Sequence, residues 1–112
     1  MGTLSTHVLD TVSGTPASGL RIELWQGEKK VTEVVTNSDG RTDEPLLSGN
    51  DLEEGSYRLI FHLGDYHRQA GYRDAGRFLD TVPIDFRVDN RDAKWHVPLL
   101  ATPWSYSTYR GS

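Results

Sequence analysis

The feature that most restricts how this chain can fold is a two-residue alternation that recurs along it, closed off each time by Gly, Pro, Asn or Asp. In "SYRLIFHL" (56–63) Tyr57, Leu59, Phe61 and Leu63 fall on one face, and in "TVPIDFRVD" (81–89) Val82, Ile84, Phe86 and Val88 do the same. Successive side chains point to opposite faces of a strand, so this pattern describes half-buried β-strands. "LSTHVLDT" (4–11), "LRIELWQ" (20–26), "KKVTEVVT" (29–36) and "AKWHVPLLAT" (93–102) read the same way. Between them, "VSGTPASG" (12–19) and "NSDGR" (37–41) carry turn chemistry, with Asp-Gly supplying a positive φ. Residues 42–56 read as loop around one short strand, and "GDYHRQAGYRDAGRF" (64–78) is the one helical segment, about two turns long. About seven or eight short strands at this spacing predict an all-β antiparallel sandwich rather than a parallel α/β sheet.

In "PWSYSTYRGS" (103–112) Trp104, Tyr106 and Tyr109 are interleaved with Ser and Thr. This too predicts a half-buried strand. Terminal residues are ordinarily frayed and polar unless something ties them down, so an ordered tail here calls for a functional reason.

With 112 residues the chain fits a single domain, residues 1–112. Its formal net charge of −4 lacks the basic footprint of a nucleic-acid binder and does not suit an anionic membrane surface. The absence of cysteine removes disulfides, thiolate catalysis and Cys-based metal sites. No signal-peptide pattern and no run near ~18 apolar residues is present, so a cytoplasmic protein is expected.

No nucleophile elbow, phosphate loop or HExxH is found, so any catalytic site must be assembled from separate segments. The candidates are four histidines and one arginine. His62 falls on the solvent face of its strand and His67 in a polar stretch, and both read as surface residues. His7 shares a face with Ser5 and Leu9; His96 lies opposite Trp95 and Val97, on the face of Leu100. On spacing alone, both are structural histidines. Arg41 follows a tight "SDG" turn, which fixes its backbone and lets a guanidinium fork be aimed at carbonyl or carboxylate oxygens. Arg58, Arg68, Arg73, Arg77, Arg87 and Arg91 read as exposed.

Four segments, "LSTHVLD", "TNSDGR", "HVPLL" and "YSTYRGS", occur in an order and spacing that resembles the 5-hydroxyisourate hydrolases, the transthyretin-related enzymes of urate breakdown. The terminal Tyr-Arg-Gly-Ser is the most specific of them and is lacking in the hormone carrier transthyretin. The resemblance covers essentially the whole chain. It implies a prealbumin-like sandwich of two four-stranded sheets with one short helix. It further implies a homotetramer with sites at the dimer–dimer interface, and the small-molecule substrate 5-hydroxyisourate. By motif it assigns His7, Arg41, His96 and Ser112 to catalysis, and His7, Arg41, Tyr109 and Arg110 to substrate binding. The wording departs from the family at "RFLD" (77–80), at Trp95 where Tyr is usual, and at "LATPW" (100–104).

No cofactor and no metal is expected. Catalytic zinc ordinarily takes three protein ligands, and no His-x-His or His-x₃-His pair exists here. The competing reading is a non-catalytic transthyretin-like carrier of a small aromatic ligand, against which stands the joint presence of His7, Arg41, His96 and the Tyr-Arg-Gly-Ser end.

Overall fold

In a computed structural model describing all residues, 1–112, the alternating segments form two facing sheets. The strands are β1 (Thr3–Asp10), β2 (Thr15–Pro16), β3 (Arg21–Gln26), β4 (Lys29–Val35), β5 (Leu47–Ser48), β6 (Gly55–His62), β7 (Thr81–Val88), β8 (Lys94–Ala101) and β9 (Tyr106–Thr108). One α-helix, α1 (Leu63–Gln69), follows β6 directly, and a single 3-10 turn covers Gly49–Asp51. The first sheet runs β2-β1-β8-β9, with β5 also paired to β1, and the second runs β4-β3-β6-β7. No helix is long and apolar enough to cross a membrane.

The alternation read from the sequence is the inward and outward alternation observed. Along β1, Leu4, Thr6, Val8 and Asp10 point in, while Thr3, Ser5, His7 and Leu9 remain half-exposed. Along β8, Trp95, Val97, Leu99 and Ala101 are buried and His96 and Leu100 are half-exposed. These side chains join Leu20, Ile22, Leu24, Leu59, Phe61, Val82 and Val88 in one core. Each fully buried Leu, Ile or Phe contributes about 1.5–3 kcal/mol relative to exposure. Thr6 is one of four buried polar residues, with Asp10, Thr36 and His67, and its hydroxyl donates to the Val97 carbonyl at 2.7 Å.

Four expectations change. The sandwich is antiparallel at every pairing except β1–β8, which is parallel, from Thr3↔Lys94 to Asp10↔Ala101. Parallel neighbours need a long crossover, and here the whole second sheet intervenes, so no hairpin imposes direction. β2, two residues long, lies within the segment read as pure turn.

His67 is not a surface residue; it is fully buried. Its spacing from Leu63 is one helical turn, and both residues lie on the inward face of α1. Its ring sits between Tyr66 and Tyr72, with centroids 5.5 and 5.4 Å away, and neither ring nitrogen has a partner. The two tyrosine hydroxyls donate instead to Asp10 Oδ2 at 2.8 and 2.7 Å.

The tail is a shorter and barer strand than expected. β9 spans only Tyr106–Thr108 and is exposed throughout, because it forms the edge of its sheet. Trp104 and Tyr109 are 50% and 60% exposed.

Candidate functional site

β1 and β8 run side by side, and the parallel register sets Ser5 against His96, His7 against Pro98 and Leu9 against Leu100. All are on the outer face of the first sheet. His7 and His96, 89 positions apart in sequence, are thereby neighbours on one rigid surface.

Arg41 arrives by a turn docked onto β1. The Asn37 side-chain oxygen accepts the Asp39 N–H at 2.9 Å and the Arg41 N–H at 3.2 Å, while the Gly40 N–H donates to the Asn37 carbonyl at 2.9 Å. The turn is joined to the strand where the Val8 N–H donates to the Gly40 carbonyl at 2.8 Å. Gly40 has φ 73°, and a Cβ there would lie 2.4 Å from the Val8 carbonyl oxygen. Only glycine permits that approach. Arg41 therefore starts next to the strand position after His7, and its side chain is exposed and free of carboxylates.

The tail reaches the same place. β9 pairs with β8 at Leu99↔Thr108 and Leu100↔Ser107, and the register resumes after Arg110 as a bridge between His96 and Gly111. The Gly111 N–H donates to the His96 carbonyl at 2.7 Å, and a Cβ on Gly111 would lie 2.5 Å from His96 Cδ2. Tyr109 falls opposite Pro98 in this register, in line with His7. Ser112 is exposed, one residue beyond the bridge.

Arg110 takes another direction. Its guanidinium lies 4.1 Å over the Trp95 ring and donates to the Lys94 carbonyl at 3.2 Å. A cation–π stack on a largely buried indole clamps the tail to β8. The residue therefore anchors the tail instead of sharing the face of the two histidines, and Trp95 supplies the platform.

The electrostatics suit a proton acceptor. Burial pushes the His96 imidazole below its ordinary 6.5, and the positive charge of Arg41 and the proximity of His7 push the same way. At neutral pH the ring is uncharged. Ser5, which the sequence reading did not select, holds His96 Nδ1 through its hydroxyl at 2.8 Å. Its signal was present, since Ser5 shares a strand face with His7, but the β1–β8 register that joins it to His96 is not written in either segment.

The two largest hollows of the chain, about 660 and 620 Å³, are lined by Arg58, Asp85 and Phe86 and by Val34, Val35 and Pro45, away from His7, Arg41 and His96. No three His, Asp or Glu side chains gather as a metal-ligand group. The site is an open face able to bind a flat polar molecule through Arg41, take a proton through a neutral imidazole, and position both against an anchored tail.

Residues 4–111 match the model of the HIUase/Transthyretin family. The chain belongs to that family. Within the HIUase/Transthyretin family it is 50% identical to the 5-hydroxyisourate hydrolase of Deinococcus radiodurans, the match covering 97% of this chain and 95% of that one. It is also 50% identical to the 5-hydroxyisourate hydrolase of Ralstonia nicotianae, with both chains covered in full. Among solved structures, the 5-hydroxyisourate hydrolase of Klebsiella pneumoniae superposes with a TM-score of 0.86 at 35% identity, over 100% of both chains.

Proposed function

We propose that this protein hydrolyses 5-hydroxyisourate, opening its six-membered ring by adding water across the C6–N1 amide-like bond in urate degradation. The observation that carries this reading is the meeting of His7, Arg41 and His96 on one sheet face, in a chain half identical to curated hydrolases of that substrate.

His96 Nε2 takes a proton from water, and the resulting hydroxide attacks C6. Negative charge develops on the C6 oxygen, where the Arg41 guanidinium stabilises it, an electrostatic contribution of about 3 kcal/mol in a water-poor site. The C6–N1 bond then breaks, N1 leaves with the proton delivered through His7 or His96, and the carboxylic acid formed at C6 releases its remaining proton to solvent as a carboxylate. General base action of this kind contributes on the order of a hundredfold or more. Tyr109 orients the heterocycle with its ring and hydroxyl, Arg110 contributes by fixing the tail that carries it, and Ser112 completes the site with its hydroxyl. The product is 2-oxo-4-hydroxy-4-carboxy-5-ureidoimidazoline. No metal takes part.

An open face excludes little water, and catalysis of this type gains from a walled site. The wall is another copy of the chain: the working form is a homotetramer with sites at the dimer–dimer interface, in the cytoplasm. The test is to generate 5-hydroxyisourate from urate with urate oxidase and follow its ultraviolet decay with chelator present. Decay faster than the spontaneous rate, in proportion to added protein, is expected. Spontaneous decay alone from a folded protein would refute the activity, and a monomer by light scattering would refute the assembly.

A further inference from the structure

We infer that Ser5 is a positioning residue that holds His96 in the tautomer carrying its proton on Nδ1, leaving Nε2 free to accept one. This inference rests on the hydrolase reading above and adds the residue that prepares its base.

The geometry begins in the backbone. Ser5 and His96 are directly opposed in the parallel β1–β8 ladder, so neither Cα can move without the sheet moving. The hydroxyl oxygen lies 2.8 Å from Nδ1, and both residues are half-buried. On the other side, Gly111 packs against the Cδ2 edge of the ring, leaving no room for a Cβ. The imidazole is thus gripped at Nδ1 and along Cδ2, and Nε2 is the nitrogen left to meet a substrate.

The direction of the hydrogen bond follows from the cycle. If Nδ1–H donates to Ser5 Oγ, the bond survives when Nε2 gains its proton, since imidazolium donates from both nitrogens. If Ser5 instead donates to Nδ1, the neutral ring carries its proton on Nε2 and cannot accept one there. The hydroxyl would also have to rotate during each turnover. A preorganised site avoids that reorganisation.

The chemical type of the partner matters as well. A carboxylate on Nδ1 would orient the ring and also favour its charged form. A serine hydroxyl orients without adding a negative charge. Together with the Arg41 cation nearby, it leaves His96 a neutral base at neutral pH. The charged and titratable groups that act on His96 are Arg41 from the docked turn and His7 from β1.

The test uses ¹⁵N-histidine-labelled full-length protein as wild type, Ser5→Ala and Ser5→Thr. Long-range ¹H–¹⁵N spectra at neutral pH read the tautomer, and steady-state kinetics on 5-hydroxyisourate read its consequence. The wild type and Ser5→Thr are expected to show Nδ1–H for His96, and Ser5→Ala to move toward Nε2–H. For Ser5→Ala, kcat is expected to fall about tenfold with KM within about twofold, and Ser5→Thr to recover most of the loss. An Nε2–H tautomer in the wild type overturns the inference, and so does an unchanged kcat in Ser5→Ala. If the wild type were inactive on 5-hydroxyisourate, the spectra would still decide the tautomer, so failure of the activity and failure of the Ser5 role remain distinguishable.

Discussion

His62 on the outer face of one sheet and His96 on the outer face of the other are connected in opposite ways. On β6, His62 is enclosed by charge: its Nε2 meets Glu23 at 2.5 Å and its Nδ1 meets Arg21 at 3.2 Å. Arg21 in turn reaches Glu33, and Lys30 reaches Glu23 and Glu33. Every ionic group in that lattice has a partner, so it has nothing left to offer a ligand. On β8, His96 has one neutral partner, and its cationic neighbour Arg41 has no carboxylate. The outward residues of β1 and β8 include no acid at all. Similar residue types thus form a satisfied surface on one sheet and an unsatisfied one on the other, and unsatisfied donors are what a substrate rich in carbonyl oxygens can use.

The comparison breaks hardest at the tail. Deleting residues 109–112 removes Tyr109, the Arg110 clamp and the Gly111 bridge together, and is expected to abolish turnover in the ultraviolet decay assay while leaving the second sheet intact by circular dichroism. Arg41→Ala and His7→Ala are expected to lower kcat/KM by about two to three orders of magnitude in an assembled, folded protein. Gly111→Ala is subtler. The new methyl forces the His96 ring or the tail to shift, and a misplacement near 1 Å costs roughly tenfold to hundredfold in rate.

The buried histidine sharpens the contrast by stability instead of rate. His67 is buried without partners, and burial lowers its proton affinity below the ordinary 6.5, against the opposing pull of Asp10. The unfolded chain therefore binds a proton first. Stability is full above about pH 6.5 and is lost as pH falls from there toward the depressed folded value. His96 adds to the same window. Asp10 acts lower: burial raises its pKa, but hydrogen bonds from Tyr72, Tyr66 and the Ser13 and Val12 amides bring it below 3.8, so its contribution is lost only in stronger acid. A buried polar group without a partner costs about 1–3 kcal/mol. His67→Leu is thus expected to melt no lower than the wild type at neutral pH and to lose less stability between neutral and mildly acidic solution, as read by urea denaturation.

The smallest effect on rate belongs to the satisfied surface. Glu23→Gln is expected to leave kcat/KM unchanged and to lower Tm by a few degrees, since it keeps a hydrogen-bonding side chain beside His62 while removing the charge that Lys30 and Arg21 meet at its partly exposed rim.

Strand faces were legible in the sequence because burial on one side imposes a period of two, and Tyr57 through Leu63 and Val82 through Val88 show it without ambiguity. The parallel direction of β1–β8 was not legible, because it is decided by the path of the chain between them and by no residue within either strand. That missing pairing also hid Ser5 and left His96 an ordinary strand histidine. His67 was misplaced for a related reason: its surroundings read polar, and only the four-residue step from Leu63 marked it as facing inward. The exposed β9 follows from its edge position, which the aromatic pattern alone does not reveal.

The most direct test places His96 and His62 side by side. kcat/KM for 5-hydroxyisourate would be measured for the wild type, His96→Ala and His62→Ala, each shown to be folded and equally assembled. A loss of about two to three orders of magnitude in His96→Ala, with His62→Ala within about twofold of wild type, is the expected result. Near-normal turnover in His96→Ala, or an equal loss in both variants, would contradict the assignment of the chemistry to the β1–β8 face.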